Sequence, residues 1–267
     1  MSLALSLQYR QNWLQSQTCK TAIVGLLLAG TWLQGCNRGN PSDPNQPSNP
    51  DPANPDGVVT PSPGNCDTFS DVPADHWASG YIQASVNLGV TAGYTLDNCV
   101  DGVAEFRPDA PVTRAEYAAL LNQVFSQAPG GEAEPFPDVA DTYWAAIPIQ
   151  ETAAKGFMTG YDDGLFKPEQ PINRSEVVFT LVKGLGYSPS QDVATTVSLY
   201  EDIEVFRTWK LGSDEAISAI AAATEKGIVV NHPDPAKLNP LQPATRAEVA
   251  AMIYQALVSS GQAEPIQ

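Results

Sequence analysis

The chain has 267 residues, 43% of them hydrophobic, which is enough apolar material for one or two packed domains and excludes disorder throughout. Its 14 Lys and Arg face 30 Asp and Glu, a formal charge of -16 with a pI near 4.3. No dense basic face is written that could displace the counterions of a nucleic acid or rest on an anionic membrane surface.

The first element in chain order is an apolar stretch over residues 21–32, preceded by Arg10 and Lys20. At about a dozen residues it is too short for a hydrocarbon core of roughly 30 Å but has the length of a signal-peptide core. It runs into Leu33, Gln34, Gly35 and Cys36, which resembles the lipobox of bacterial lipoproteins. Residues 1–35 are therefore expected to be a signal peptide and Cys36 the lipidated first residue of an exported, membrane-anchored envelope protein. An ordinary cleaved signal and an uncleaved anchor remain the alternatives, and the 20-residue leader ahead of the apolar core is long for a lipobox signal. Loss of residues 1–35 leaves 12 basic against 30 acidic residues. Export also sets the redox compartment: with Cys19 removed and Cys36 lipidated, Cys66 and Cys99 form an even pair and are expected to be a disulfide, two free thiols being the alternative. The bridge closes a loop of about 34 residues, worth about 3–4 kcal/mol on the chain-entropy model.

Residues 36–65 carry Cys36 and then a linker. Eight of residues 37–65 are proline, among Asn, Asp, Ser and Gly, and nothing there builds a core. Such a segment is expected to be disordered and extended, reaching on the order of 90 Å at about 3.1 Å per residue.

After the linker the sequence repeats itself three times. Phe69-Ser70-Asp71-Val72 with Trp77 returns as Phe136-Pro137-Asp138-Val139 with Trp144, and as Tyr200-Glu201-Asp202-Ile203 with Trp209. A glycine then closes a helical stretch at Gly89, Gly156 and Gly227, where a left-handed residue suits a helix end. Last come Phe106-Arg107-Pro108 with Thr113-Arg114-Ala115-Glu116, Phe166-Lys167-Pro168 with Asn173-Arg174-Ser175-Glu176, and Leu238-Asn239-Pro240 with Thr245-Arg246-Ala247-Glu248. Thr or Asn followed three residues on by Glu is a capping box. The helix behind it carries an apolar stripe, Tyr117, Leu120, Leu121 and Val124 in the first copy and Val249, Met252, Ile253 and Ala256 in the third. In the second copy Thr180 and Gly184 thin the stripe. An earlier helix is expected in each copy over residues 76–88, 143–155 and 213–226, with Pro148 requiring the second to start near Ala146 or to kink. Two helices of this size cannot bury both stripes alone. The expected fold is therefore all-α, three repeats over 66–128, 129–190 and 191–260 packed about a pseudo-threefold three-helix core, with 261–267 as a tail.

The order aromatic-x-Asp-Val, Trp, Gly, aromatic-x-Pro, Thr-Arg-Ala-Glu resembles the surface-layer homology (SLH) domain of bacterial envelope proteins. The second copy carries it most fully, through Gly156, Gly160, Tyr161, Asp163, Gly164, Phe166, Pro168, Arg174 and Glu176. The resemblance covers about 190 residues and implies ligand grooves between neighbouring repeats that bind peptidoglycan-linked polysaccharide, often bearing a pyruvyl ketal. It implies that Arg114, Arg174 and Arg246 face the ketal carboxylate beside free N–H groups of a helix N-terminus. It also implies that Trp77, Trp144 and Trp209 offer faces to sugar rings and that Asp71, Asp138 and Asp202 accept from hydroxyls or from the arginines. Two departures make the grooves unequal: an insertion over 95–104 in the first copy, and Asn231-His232-Pro233 in place of Gly-Tyr in the third. Arg174 and the second repeat are the first choice.

Structural readings of the same residues stay open: tryptophans as walls, arginines as solvated first-turn residues, aspartates as helix caps. His76 and His232 have no ligand partners at metal spacing, and Asp162-Asp163-Gly164 reads as a turn before it reads as a calcium loop. No cofactor and no catalytic constellation is expected. The function expected is a non-catalytic anchor joining membrane lipid to wall polysaccharide, with an envelope protein-interaction scaffold as the alternative and a wall hydrolase less favoured.

Overall fold

A computed structural model describes residues 68–91, 103–207 and 213–266. The signal segment, the linker, Cys36, Cys66, Cys99 and Trp209 lie outside the described residues. In chain order the elements are β1 (Thr68–Phe69), α1 (Ser79–Asn87), β2 (Val103–Ala104), α2 (Arg114–Val124), α3 (Ala146–Ala154), α4 (Arg174–Gly184), α5 (Val193–Val197), α6 (Ile203–Arg207), α7 (Asp214–Glu225) and α8 (Arg246–Ser259). The architecture is all-α, as expected, apart from a two-residue parallel pair that joins β1 to β2 inside the first repeat.

Local chemistry sets the helix ends. Thr113 Oγ1 accepts from Glu116 N at 3.2 Å while Glu116 Oε2 accepts from Thr113 N at 2.7 Å. Thr245 and Glu248 do the same at 3.3 and 2.9 Å, and Glu176 Oε2 accepts from Asn173 N at 3.0 Å. These boxes open α2, α4 and α8. At the other end of the earlier helices, Gly89, Gly156 and Gly227 take φ of 68°, 78° and 67°. There the chain reverses and the next residue, Val90, Phe157 or Ile228, donates back to Ser85 O, Thr152 O or Ala223 O at 2.8–3.0 Å. This six-to-one closure points an apolar side chain into the core just past each helix. Pro148 falls in the first turn of α3, where its missing N–H has no intrahelical partner to lose, and the helix starts at Ala146.

The capped helix of each repeat packs on the earlier helix of the next: α2 on α3, α4 on α7, and α8 back on α1. Short α5 lies against α7 and, with α6, belongs to the third repeat. On the pseudo-threefold axis three backbone bonds close a ring. Val112 N donates to Ala244 O (3.0 Å), Ala244 N to Ile172 O (2.8 Å) and Ile172 N to Val112 O (2.9 Å). All three side chains here are buried, so the ring forms where water does not compete.

The thin stripe of the second copy is filled from outside its own helix. Tyr117 of α2 is fully buried and sets its hydroxyl 2.9 Å from Thr180 Oγ1 and 3.3 Å from Val177 O; burial raises its phenol pKa above the usual value. Over Gly184 lies the ring of Phe157, stacked on Phe125 at 4.8 Å. A methyl at Gly184 would stand 2.0 Å from that ring, so glycine here makes room for a neighbour rather than weakening the core. Gly184→Ala is expected to destabilise the domain by about 1–3 kcal/mol through overpacking, read as a lower urea midpoint with unchanged slope.

Candidate functional site

The recurring positions of the repeat converge on three seams between neighbouring repeats. Arg114, the first residue of α2, is 3% exposed and reaches into the second repeat. Its Nε donates to Phe166 O (2.7 Å), its Nη2 to Thr159 O (2.8 Å), and its Nη1 lies 3.1 Å from Glu176 Oε1. The guanidinium sits 4.4 Å from the Tyr161 ring centroid and 4.6 Å from that of Phe166. Arg174 makes the same reach into the third repeat, to Leu238 O (2.8 Å), Val230 O (2.9 Å), Asn231 Oδ1 (2.6 Å) and Glu248 Oε1 (2.6 Å). Arg246 closes the cycle, its Nε donating to Phe106 O at 2.7 Å and its guanidinium lying 4.7 Å from the Phe106 ring.

These contacts join two capping-box glutamates, Glu176 and Glu248, to their seams. Glu176 caps α4 with one oxygen and meets Arg114 and Tyr161 Oη (2.7 Å) with the other. Burial first, and the Glu176 carboxylate second, raise the pKa of the Tyr161 phenol above the usual value, so it stays a donor. An arginine fork suits this place because it satisfies two carbonyls and a carboxylate in one plane, which a lysine cannot.

The expectation of free amides at the arginine-bearing helix starts is corrected. Arg114 N donates to Gln170 O and Ala115 N to Pro168 O; Arg174 N and Ser175 N donate to Gln242 O and Pro240 O; Arg246 N and Ala247 N donate to Ala110 O and Pro108 O, all at 2.9–3.0 Å. The first turns are spent on the loop of a neighbouring repeat, and no anion finds them open.

Asp71, Asp138 and Asp202 hold that loop. Asp71 accepts from Phe106 N and Arg107 N (2.8 and 2.6 Å), Asp138 from Phe166 N and Lys167 N (2.9 and 2.7 Å), and Asp202 from Leu238 N and Asn239 N (3.0 and 2.7 Å). The second residue of each pair has positive φ, 58° at Arg107, 57° at Lys167 and 49° at Asn239. A side chain in that region is strained, and the two charge-assisted bonds offset the cost. Each aspartate thus turns the chain so that the preceding carbonyl, that of Phe166, Leu238 or Phe106, faces the arginine of another repeat.

Trp77 and Trp144 are half-buried at the edges of the packed core. Trp77 of the first repeat stacks on His232 of the third, ring centroids 4.9 Å apart at 9°. Trp144 is tilted at 45° to Tyr143, 5.8 Å away, and Tyr143 donates to Glu169 Oε1 at 2.5 Å. Sequence reasoning gives Glu176 and Glu248 a capping role but no part in a seam, and it assigns no contact to Tyr161, Asn231 or His232. Their signal was present in the Gly-Tyr string and in the capping boxes, but the spacing to a partner one repeat away is silent about which atoms meet.

Among the described residues no group of three or more His, Cys, Asp or Glu is placed to hold a metal, and no helix is long and apolar enough to cross a membrane. Truncating a buried ion-paired arginine leaves two carbonyls without that donor and the opposing carboxylate without its cation. Arg114→Ala is expected to cost about 3–5 kcal/mol in denaturant titration, and Glu176→Gln combined with it less than the sum of the single changes, because both remove one contact.

A family model described as the S-layer homology domain matches residues 68–118, 135–178 and 206–250. The chain is similar to the Cell surface glycoprotein 1 of Acetivibrio thermocellus, at 31% identity over 155 residues, 57% of this chain and 7% of that protein. It is similar to the Cellulosome-anchoring protein of the same organism, at 29% over 160 residues, 54% of this chain and 34% of that protein. It is also similar to an Amylopullulanase of Thermoanaerobacterium thermosulfurigenes, at 29% over 198 residues, 73% of this chain and 10% of that protein. The chain thus spans about a third or less of the length of these curated relatives.

Proposed function

The chain belongs to the S-layer homology family, and on that premise we propose that it is a non-catalytic anchor of the cell envelope that binds peptidoglycan-linked polysaccharide at the seams between its repeats. The observation that carries this reading is the recurrence of one arrangement at successive seams, a buried arginine and the carbonyl it fixes, with the half-buried Trp77 at the junction of the third and first repeats. The names of the relatives support the same direction. A cellulosome-anchoring protein and a surface glycoprotein share the repeat with an amylopullulanase, as a module used beside different activities would.

In this reading Trp144 and Trp209 present ring faces to sugars, and Trp77 does so once the stacked His232 is displaced. Arg114, Arg174 and Arg246 supply the positive charge of each cleft, and an acidic ketal competes with Glu176 or Glu248 for the outer guanidinium nitrogen of Arg114 or Arg174. Asp71, Asp138 and Asp202 act through the backbone they hold. An acidic protein binding an acidic polymer is consistent with this, because at physiological salt the screening length is about 8 Å and the nearest cation decides the local interaction. The ligand is pyruvylated wall polymer, lipid on Cys36 ties the other end to a membrane, and Cys66 and Cys99 form a disulfide.

Peptidoglycan sacculi are expected to retain the protein in moderate salt and to lose it once the polysaccharide is stripped with acid. Equal retention on stripped wall would overturn the polysaccharide reading, and retention on a protein fraction alone would favour the scaffold. Mass spectrometry of the mature N-terminus is expected to show acyl chains on Cys36; an unmodified or absent cysteine removes the lipid tether and leaves the wall-binding reading intact.

A further inference from the structure

The seam between the third and first repeats differs from the pattern of the second repeat at one chemically telling place. Five residues after each helix-ending glycine, the second repeat has Tyr161 and the third has His232. Tyr161 is taken up by Arg114 and Glu176. His232 instead leaves its own repeat and lies flat on Trp77 of the first, 4.9 Å away and only 9° from parallel. It is itself exposed, so one face of the imidazole meets solvent while the other covers the indole.

The cover is held at both sides. Next to it, Asn231 Oδ1 accepts from Arg174 Nη2 at 2.6 Å and Asn231 Nδ2 donates to Pro235 O at 3.0 Å. Asp234 Oδ1 accepts from Ala236 N at 2.9 Å and fixes the far end of the loop. Under it, Trp77 packs on Ala78, Ile82, Phe106, Ala247 and Ala250 where α1 meets α8. The neighbouring His76 is also fixed, its Nδ1 accepting from Ala78 N at 3.2 Å. Neither ring of the stack is on a free tether. Trp144, by contrast, has the tilted Tyr143 of its own repeat beside it.

A saccharide ring uses a tryptophan by laying its C–H face on the indole, the position that His232 holds over Trp77. We propose that His232 is a specificity-determining residue that covers Trp77 and closes the seam between the third and first repeats to sugar rings, so that this seam binds more weakly than the chain's other seams. The proposal rests on the polysaccharide reading above and refines it. A parallel aromatic pair of this kind weighs about two- to tenfold in a binding equilibrium, and a ligand at this seam must first displace it.

The test is calorimetric titration of the full chain with soluble fragments of pyruvylated wall polysaccharide. His232→Ala is expected to add a binding component two- to tenfold tighter than wild type at one seam, and Trp77→Ala in the His232→Ala background to remove that component. His232→Phe, which keeps a flat ring over the indole, is expected to bind as wild type does. Identical titrations for wild type and His232→Ala, or a gain that survives loss of Trp77, overturn the proposal while leaving wall binding standing. A wild-type chain that binds no fragment at all overturns the polysaccharide reading itself, and the refinement with it. Acrylamide quenching without ligand gives an independent check on the stack: the Trp77 contribution, taken as the difference on Trp77→Ala, is expected to become more quenchable in His232→Ala and to stay unchanged in His232→Phe.

Discussion

The structure depends on one side chain per repeat crossing into the next. An arginine at the first position of a capped helix leaves its own repeat, and its guanidinium binds backbone carbonyls that no strand or helix satisfies. Three such crossings turn short helical hairpins into one assembly. None of the hairpins can bury its stripe alone, and the arginines decide which neighbour each stripe meets. The same contacts fix register, because a one-residue slip would leave a buried cation beside apolar side chains.

The other constant features serve that crossing. In α4 and α8 the capping-box glutamate closes its helix and takes up the arginine from the preceding repeat. The aspartate holds a residue of positive φ, which sets the carbonyl where the guanidinium meets it. The central ring of three backbone bonds needs the loops in this position too. Aspartate, glutamate and arginine, far apart in sequence, therefore form one network, and its members are more coupled than their separate motifs suggest.

Much of this was legible from residues alone because it is local. Capping boxes, helix-ending glycines and the place of Pro148 each follow from a few adjacent residues, and the threefold recurrence gives the architecture. What was not legible lies between repeats. Arg114 finds Glu176 across 62 positions, and nothing in Thr-Arg-Ala-Glu distinguishes an arginine in solvent from one at 3% exposure. The helix starts read as anion sites because the donors are unsatisfied within the helix; their true partners are the carbonyls of another repeat's loop. Gly184 read as a gap in a stripe since the ring that fills it, Phe157, belongs to the segment after α3. The role of His232 is of the same kind, a residue whose meaning comes from a tryptophan 155 positions earlier.

The cyclic order of the contacts has a consequence for growth. In an open solenoid a new unit can be added at either end, because each end presents an unused stacking face that a cap must cover. Here the face that α8 offers is already occupied by α1, and the loop of the first repeat is already held by Arg246. Among the described residues both of these faces are taken, so a fourth copy could not extend the ring through the same contacts. Copy number is thereby locked by geometry, and individual units are free to diverge in detail while none of them can be deleted.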